Sequence, residues 1–266
     1  MKDIKVLFLG DIHCREFWIK PVYEVLKNNP EAKIVFIGDY LDGYSQEWDD
    51  NVDYAELGFE GFLEIIKLKE QYKDRTVLLL GNHDATYAIG DDICKCRTDY
   101  KHKQRLEDIF QDKRLLFQLA YSEKINDIDF LFTHAGVNKK WVEYNFKDLN
   151  ITKDNLVDFL NNMWLSIGNY SQLDTLGQYD NYRGYFGWEY GSPIWADIKA
   201  MYKISKEDSY DFFQIVGHSQ LIDDGKPLVF ENIGDFDCRA AFYIDSEGKI
   251  RLYDTDEVCE KIKPVE

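Results

Sequence analysis

The sequence predicts an α/β fold with helices packed on sheets, and three observations carry that expectation. Short apolar runs recur at Lys5–Leu9, Ile34–Ile37, Val77–Leu80, Phe130–Phe132 and Phe213–Val216. They are continuous rather than alternating, as in strands buried on both faces. Between them lie stretches with apolar residues three or four apart, the period of a helix with one buried stripe. Finally, the chain ends in strand-like runs separated by turn residues, so strand–helix alternation gives way to antiparallel pairing.

In chain order, Lys5–Leu9 opens the fold as a strand and Phe17–Leu26 comes next as a helix. Ile34–Ile37 is the second strand and Tyr54–Tyr72 the longest helical pattern. Its entry, EWDDNVDYAE, is acidic, which suits the positive end of a helix dipole. Val77–Leu80 is the third strand. Arg105–Phe117 and Leu156–Leu165 read as helices flanking the strand Phe130–Phe132. Asn169–Gly191, rich in Tyr and Gly, has no clean period and reads as a long loop of the kind that often carries function. Phe213–Val216 is the last of the continuous runs. Leu228–Asn232, Ala240–Ile244 and Lys249–Tyr253 are read as strands of a second, partly antiparallel sheet, with Ser246-Glu247-Gly248 as the turn between the last two.

At 266 residues, without a Pro/Gly/Ser linker or internal repeat, the chain is expected to form one domain spanning 1–266. The net charge of −17 excludes the basic footprint of a duplex-binding protein and disfavours anionic membranes. No stretch approaches the ~20 apolar residues of a membrane span. The first residues lack the long apolar core of a signal peptide. Five cysteines at irregular spacing do not make a disulfide framework, so a reducing cytoplasm is the expected compartment. Cys94-x-Cys96 lacks the usual zinc spacing and a second pair, and is read as non-functional. His102, in the polar stretch DYKHKQR, reads as a surface histidine at a helix start.

The junction after each apolar run is less ordinary. Gly10-Asp11-Ile12-His13 ends the first, and Gly38-Asp39-Tyr40-Leu41-Asp42 the second. Gly81-Asn82-His83-Asp84, Thr133-His134-Ala135-Gly136 and Gly217-His218-Ser219-Gln220 end the others. Four of the five histidines in the chain sit at these junctions. In open α/β sheets, residues just past the carboxyl ends of strands converge on one crevice. The converging side chains are O and N donors without thiolate, a set suited to Mn, Fe, Zn or Mg. They exceed the needs of one ion. Asp11, His13 and Asp39 make one group, Asn82, His134 and His218 another, and Asp39 is the natural bridge. Two such ions form a clamp for in-line displacement at phosphorus.

GDIHC, GDYLD, GNHD, THAG and GHSQ, in this order, resemble the calcineurin-like metallophosphoesterase superfamily. PLVFEN, IGDFDC and the closing hairpin are similar to the end of its serine/threonine phosphoprotein phosphatase branch. The resemblance implies a four-layer αββα sandwich and hydrolysis by a metal-bridging hydroxide. It implies two divalent metal ions, Mn foremost, held by Asp11, His13, Asp39, Asn82, His134 and His218, with Asn82 also near substrate. His83 would be the general acid, Asp42 would fix its tautomer, and Asp84 would support the loop. The implied substrate is a phosphorylated protein, a small phosphate ester or a nucleotide.

The chain also departs from the branch. Gly43 stands where the phosphatase motif GDxxDRG carries Arg, Cys14 where Gly usually comes after Asp-x-His, and Gln220 where diesterase-type members have a second His. Asp197 sits where bacterial and phage members often carry Arg. Arg183 is the leading candidate to replace the missing cation, ahead of Arg15 and Arg239. A weakened clamp leaves room for a diester or a dinucleoside polyphosphate, with Tyr44, Trp48, Tyr182, Tyr185, Phe186, Trp188 and Tyr190 as candidates to stack a base. A binding module that keeps its ions for structure is the third alternative.

Overall fold

The computed structural model describes residues 2–49, 51–90, 96–166, 175–183, 187–202 and 209–261. Two sheets pack face to face and helices cover their outer sides. The first sheet contains β1 (Val6–Leu9), β2 (Lys33–Phe36), β3 (Thr76–Leu79) and β4 (Phe117–Gln118). The second contains β5 (Ala120–Ile125), β6 (Ile128–Thr133), β7 (Phe213–Val216), β8 (Leu228–Val229) and β9 (Ile233–Asp235). β10 (Ala241–Ile244) and β11 (Ile250–Leu252) return to the first sheet. Its order is β11-β10-β1-β2-β3-β4, with β1 to β4 parallel and β10 antiparallel to β1 in the register Val6↔Ile244. The second sheet runs β5-β6-β7-β9-β8. Its centre, β6-β7-β9, is parallel and its edge strands are antiparallel.

This layering explains why the runs are apolar throughout. Successive strand residues point to opposite faces. Val6, Phe8, Val35, Ile37, Val77 and Leu79 meet Phe130, Phe132, Ile215, Phe236 and Phe242 between the sheets. Phe8 is the hub there, edge-on to Phe236 with ring centroids 4.9 Å apart. Leu7, Leu9, Ile34, Phe36, Leu78 and Leu80 face the other way. They pack under α1 (Ile19–Asn28), α2 (Tyr54–Tyr72) and α4 (Lys103–Asp112). Between α2 and α4 lies α3 (Asn82–Ile89), which starts directly after β3. On the second sheet, α5 (Lys139–Asn145) and α6 (Leu156–Leu165) supply Trp141, Leu160 and Trp164.

Several expectations are met and several corrected. α2 and α6 have the expected bounds, and Asp53 caps α2 by accepting from the Glu56 N–H at 3.1 Å. The helix expected over Arg105–Phe117 stops at Asp112. A 3-10 turn, Arg114–Leu116, and strand β4 come after it, so Phe117 is a strand residue. Of Leu228–Asn232, only Leu228–Val229 forms a strand, β8, and the rest leads into β9. The closing hairpin belongs to the first sheet, because β1 offers it an open edge beside Ala241–Ile244. His102 is buried, not a surface residue. Its ring stacks on Phe59 at 4.5 Å, and Asp99 and Glu56 hold its two nitrogens at 2.7 and 3.2 Å. Cys94 and part of the Asn169–Gly191 stretch, including Tyr185 and Phe186, lie outside the described residues. Among the described residues, no helix is long and apolar enough to cross a membrane.

Candidate metal centre

The parallel strands β1, β2, β3, β6 and β7 all deliver their carboxyl ends to one side of the stacked sheets, and the junction residues meet there. Asp11, His13, Asp39, Asn82, His134 and His218 are all buried. The turns that present them are tight. His13, Cys14, Asp39, Asp42 and His218 adopt left-handed φ values between 44° and 72°. Such conformations cost on the order of 1 kcal/mol each and cluster where geometry serves a site. Cys14 therefore holds, with a side chain, a left-handed backbone shape that favours Gly.

Two glycines are required by close approach. A Cβ on Gly81 would lie 2.1 Å from Asp39 Oδ1, and one on Gly217 would lie 2.2 Å from Asp11 Oδ1. These contacts come from the hydrogen bonds that aim the carboxylates. Asp39 Oδ1 accepts from the His83 N–H at 2.9 Å, and Asp11 Oδ1 from the His218 N–H at 2.9 Å. Each carboxylate thereby turns its second oxygen inward. Asp39 Oδ2 is 3.5 Å from His13 Nε2 and 3.5 Å from His134 Nε2, so it stands between the two predicted groups. Asp11 Oδ2 is 3.7 Å from His13 Nε2. Asp84 supports the bridge by accepting from the N–H groups of Asp39, Tyr40 and Gly81 at 2.7, 3.1 and 2.9 Å.

The donor chemistry fits a cation. His134 Nδ1 donates to the Ile37 carbonyl at 3.0 Å and His13 Nδ1 to the Leu41 carbonyl at 2.8 Å. Their Nε2 atoms then carry bare lone pairs in the neutral rings. Burial pushes His13 down to about 3, and pushes His134 below and His218 well below the ordinary imidazole value. Yet His134 Nε2 faces Asn82 Oδ1 at 2.9 Å and His218 Nδ1 at 3.2 Å. The Asn82 amide is oriented by its Nδ2, which donates to Cys96 Sγ at 3.0 Å, so the oxygen is the atom turned inward. Asn82 Oδ1 facing the bare Nε2 of His134 sets acceptor against acceptor without a proton, which is unfavourable, and a positive ion between them resolves it. Asp39, His134 and His218 lie close enough to share an ion, as the second predicted group requires; the other compact cluster is His13, Asp39 and His83, with Asp11 meeting it through its Oδ2, 3.7 Å from His13 Nε2.

The electrostatics agree. Burial would raise Asp39, but His134, His83 and His13 around it outweigh that and keep it below the usual carboxylate value. Asp11 is driven well above its usual value by burial and by the charges of Asp237 and Asp39. The buried pair Asp235 and Asp237 lies beside Asp11, and among the described residues Asp235 Oδ2 and Asp237 Oδ1 have no hydrogen-bond partner. Sequence reasoning gave these two no role. Gly234-Asp235 resembles the Gly-Asp of GDIHC but closes β9 itself instead of following it, so the signal of a polar residue just past a strand is missing there.

The family model described as calcineurin-like phosphoesterase matches residues 4–221. The chain belongs to this family. A Caenorhabditis elegans protein named as a serine/threonine-protein phosphatase, C06A1.3, is 35% identical over 82 residues, which cover 31% of this chain. The matched segment spans only 20% of that relative's own length. A serine/threonine phosphatase structure from Saccharomyces cerevisiae, described as similar to human PP5, superposes with a TM-score of 0.52 at 18% identity. That alignment covers 100% of this chain and 82% of the yeast chain, and it shows the shared fold of two mixed sheets flanked by helices.

Beside the carboxylate–imidazole cluster stands a second polar unit. His83 Nδ1 lies 2.8 Å from Asp42 Oδ2, and Asp42 Oδ1 accepts from Tyr87 Oη and from the Asp99 N–H. Burial disfavours imidazolium at His83, but Asp39 and the hydrogen bond and charge of Asp42 prevail and raise its pKa above the ordinary value. The arginines around the site are differently engaged. Arg183 donates to Ser219 Oγ at 2.8 Å and the His218 carbonyl at 3.2 Å, and its Nε lies 3.1 Å from Asp197 Oδ2. It braces the turn behind His218. Arg15 forks onto Glu47 at 2.8 and 3.0 Å. Arg239 is held by Asp224. Arg97, Tyr87 and Asp99 escaped sequence reasoning because nothing local to them marks a site. Tertiary packing alone brings them to Asp42.

Proposed function

We propose that this phosphoesterase is a divalent-metal-dependent phosphatase of the phosphoprotein type, one domain over 1–266, cleaving monoesters in phosphoserine/threonine proteins or small phosphate esters. The observation that carries the reading is the place of Asp39, equidistant from the imidazoles of two separate ligand groups. In this proposal Asp11, His13 and Asp39 hold one ion, and Asp39, Asn82, His134 and His218 hold the other. The O/N donor set accepts Mn, Fe, Zn or Mg. When bound, the ions would activate water and neutralise phosphoryl oxygens. The residues of the chain do the rest. His83, held as imidazolium by Asp42, gives its Nε2 proton to the leaving oxygen. Asp42 fixes which nitrogen points at substrate, with Tyr87 and the Asp99 N–H fixing Asp42 in turn. Arg183 acts through His218, and with its cation set against Asp197 it is a positioning residue in this reading.

The test is a substrate panel with Mn supplied: p-nitrophenyl phosphate, its bis ester and diadenosine tetraphosphate. Monoester turnover at least roughly tenfold above the others supports the proposal. Preference for the bis ester or the dinucleotide supports the diesterase alternative. The ion-keeping binding module is supported if wild type and His83→Ala are equally inactive while metal analysis still finds two ions per chain. Asp39→Asn is expected to lose at least one of them.

A further inference from the structure

We infer that Arg97 grips the phosphoryl group of the substrate, taking over from a distant chain position the role left open at Gly43; this deepens the phosphatase reading above and rests on it. Residue 43 has little room for an arginine. A Cβ there would stand 3.2 Å from the His13 carbonyl oxygen, 3.2 Å from Trp48 Nε1 and 3.3 Å from Cys14 Cβ. Trp48 and Cys14 already occupy the space such a side chain would enter.

The cations near the site are accounted for one at a time. Arg15 is buried and forks onto Glu47, and Arg183 is set against Asp197. Lys101 is paired with both Asp53 and Glu56. Arg97 is exposed and, among the described residues, makes no ion pair. It is nevertheless held in place. Its Nη2 donates to the backbone carbonyl of Asp42 at 3.0 Å, and its guanidinium lies over the Tyr44 ring, 3.8 Å from the centroid. That ring is 5.0 Å from the His13 ring, which is 5.0 Å from the His83 ring. Arg97 is thus fixed on Asp42, the residue whose carboxylate holds the proposed proton donor, and among the described residues most of its five N–H donors are uncommitted. A guanidinium held in this way by a carbonyl and an aromatic face is pre-organised for a phosphate oxygen pair.

The substrate is constrained in two ways. The face of Tyr44 under Arg97 is covered by the guanidinium, so it is closed to a nucleobase. Beside it opens a cavity of about 510 Å³ lined by Asp42, Tyr44, Tyr54, Arg97 and Tyr100. It leaves room for the alcohol side of a phosphate monoester.

The experiment uses inorganic phosphate as the probe, with the full chain loaded with Mn. Competitive inhibition of p-nitrophenyl phosphate hydrolysis and calorimetric phosphate binding are measured for wild type, Arg97→Ala and Arg97→Lys, with metal content and Tm for each. Loss of charge-assisted hydrogen bonds is expected to weaken phosphate by roughly 10–100-fold in Arg97→Ala. Arg97→Lys recovers only part of that, because an ammonium presents no fork. Metal content and Tm stay at wild-type values, which separates gripping from a structural role. Phosphate affinity in Arg97→Ala within about twofold of wild type, with turnover intact, overturns the inference and leaves the phosphatase reading standing. A two-ion wild type that neither hydrolyses the ester nor binds phosphate overturns both.

Discussion

Asp42→Asn isolates the charge proposed to hold His83 in its acid form. The substitution keeps size and shape, and Asn tolerates the left-handed φ of 59° found at this position. Asp42 Oδ1 serves two donors, Tyr87 Oη and the Asp99 N–H, so the Asn oxygen is expected to stay there. Its NH₂ group then faces His83 Nδ1, where Oδ2 was 2.8 Å away. A donor now meets the atom that needs an acceptor when protonated. Losing a charge-assisted hydrogen bond removes roughly 1.5–3 kcal/mol of preference for imidazolium. At about 1.36 kcal/mol per unit, that is roughly one to two pKa units downward. The sign is set by the wild-type shift: His83 lies above its ordinary 6.5, so the proton is retained to higher pH, and the variant gives it up earlier. The alkaline limb of kcat should move to lower pH by roughly that amount, and kcat at about pH 8 should fall roughly 10–100-fold. The assay is the pH dependence of kcat for phenyl phosphate and p-nitrophenyl phosphate, with metal content checked at each pH. The poorer leaving group, phenoxide, should show the larger loss, since it needs the proton more. An alkaline limb unchanged from wild type for both esters would refute the assignment of His83 as proton donor.

The same geometry sets other outcomes. Gly217→Ala places a methyl against Asp11 Oδ1 and should lower metal stoichiometry while far-UV circular dichroism stays native. Phe242→Ala empties part of the inter-sheet core, where Phe242 is fully buried against Phe8 and Phe236; it should cost ~3–5 kcal/mol and lower Tm by roughly 6–20 °C. Chelated protein should lose stability as pH rises. Burial lifts Asp237 from 3.8 to about 6, so its contribution is complete below 3.8 and is lost as pH passes through 6. The Tm of chelated protein should therefore fall between about pH 4 and 6. Added Mn should raise Tm more at about pH 7 than at about pH 5, and Asp237→Asn should flatten the slope. A chelated Tm independent of pH in this window, or equal in Asp237→Asn, counts against that account.

Strand positions, and the convergence of the polar residues that end the strands, could be read from the sequence alone. A run such as VLFL must be buried on both faces, and a carboxylate, amide or imidazole placed directly after it can lie only at the end of a strand. Parallel strands bring such ends together, so Asp11, His13, Asp39, Asn82, His134 and His218 were legible from spacing alone. Helices with a strong apolar stripe, Tyr54–Tyr72 and Leu156–Leu165, were legible for the same reason. The tertiary structure alone decided the partners that come from elsewhere in the chain. Whether an arginine carries usable charge depends on which carboxylate lies beside it: Arg183 meets Asp197 and Arg15 meets Glu47, while Arg97 reaches Asp42 across 55 residues. His102 looked solvated in its polar surroundings, and only the packing of α2 and α4 placed it under Phe59. The closing hairpin went to the first sheet because an edge of β1 was open, a fact held in no local window. Local patterns record how each segment solves its own burial; charge neutralisation and edge pairing are settled between segments, at distances the sequence does not measure.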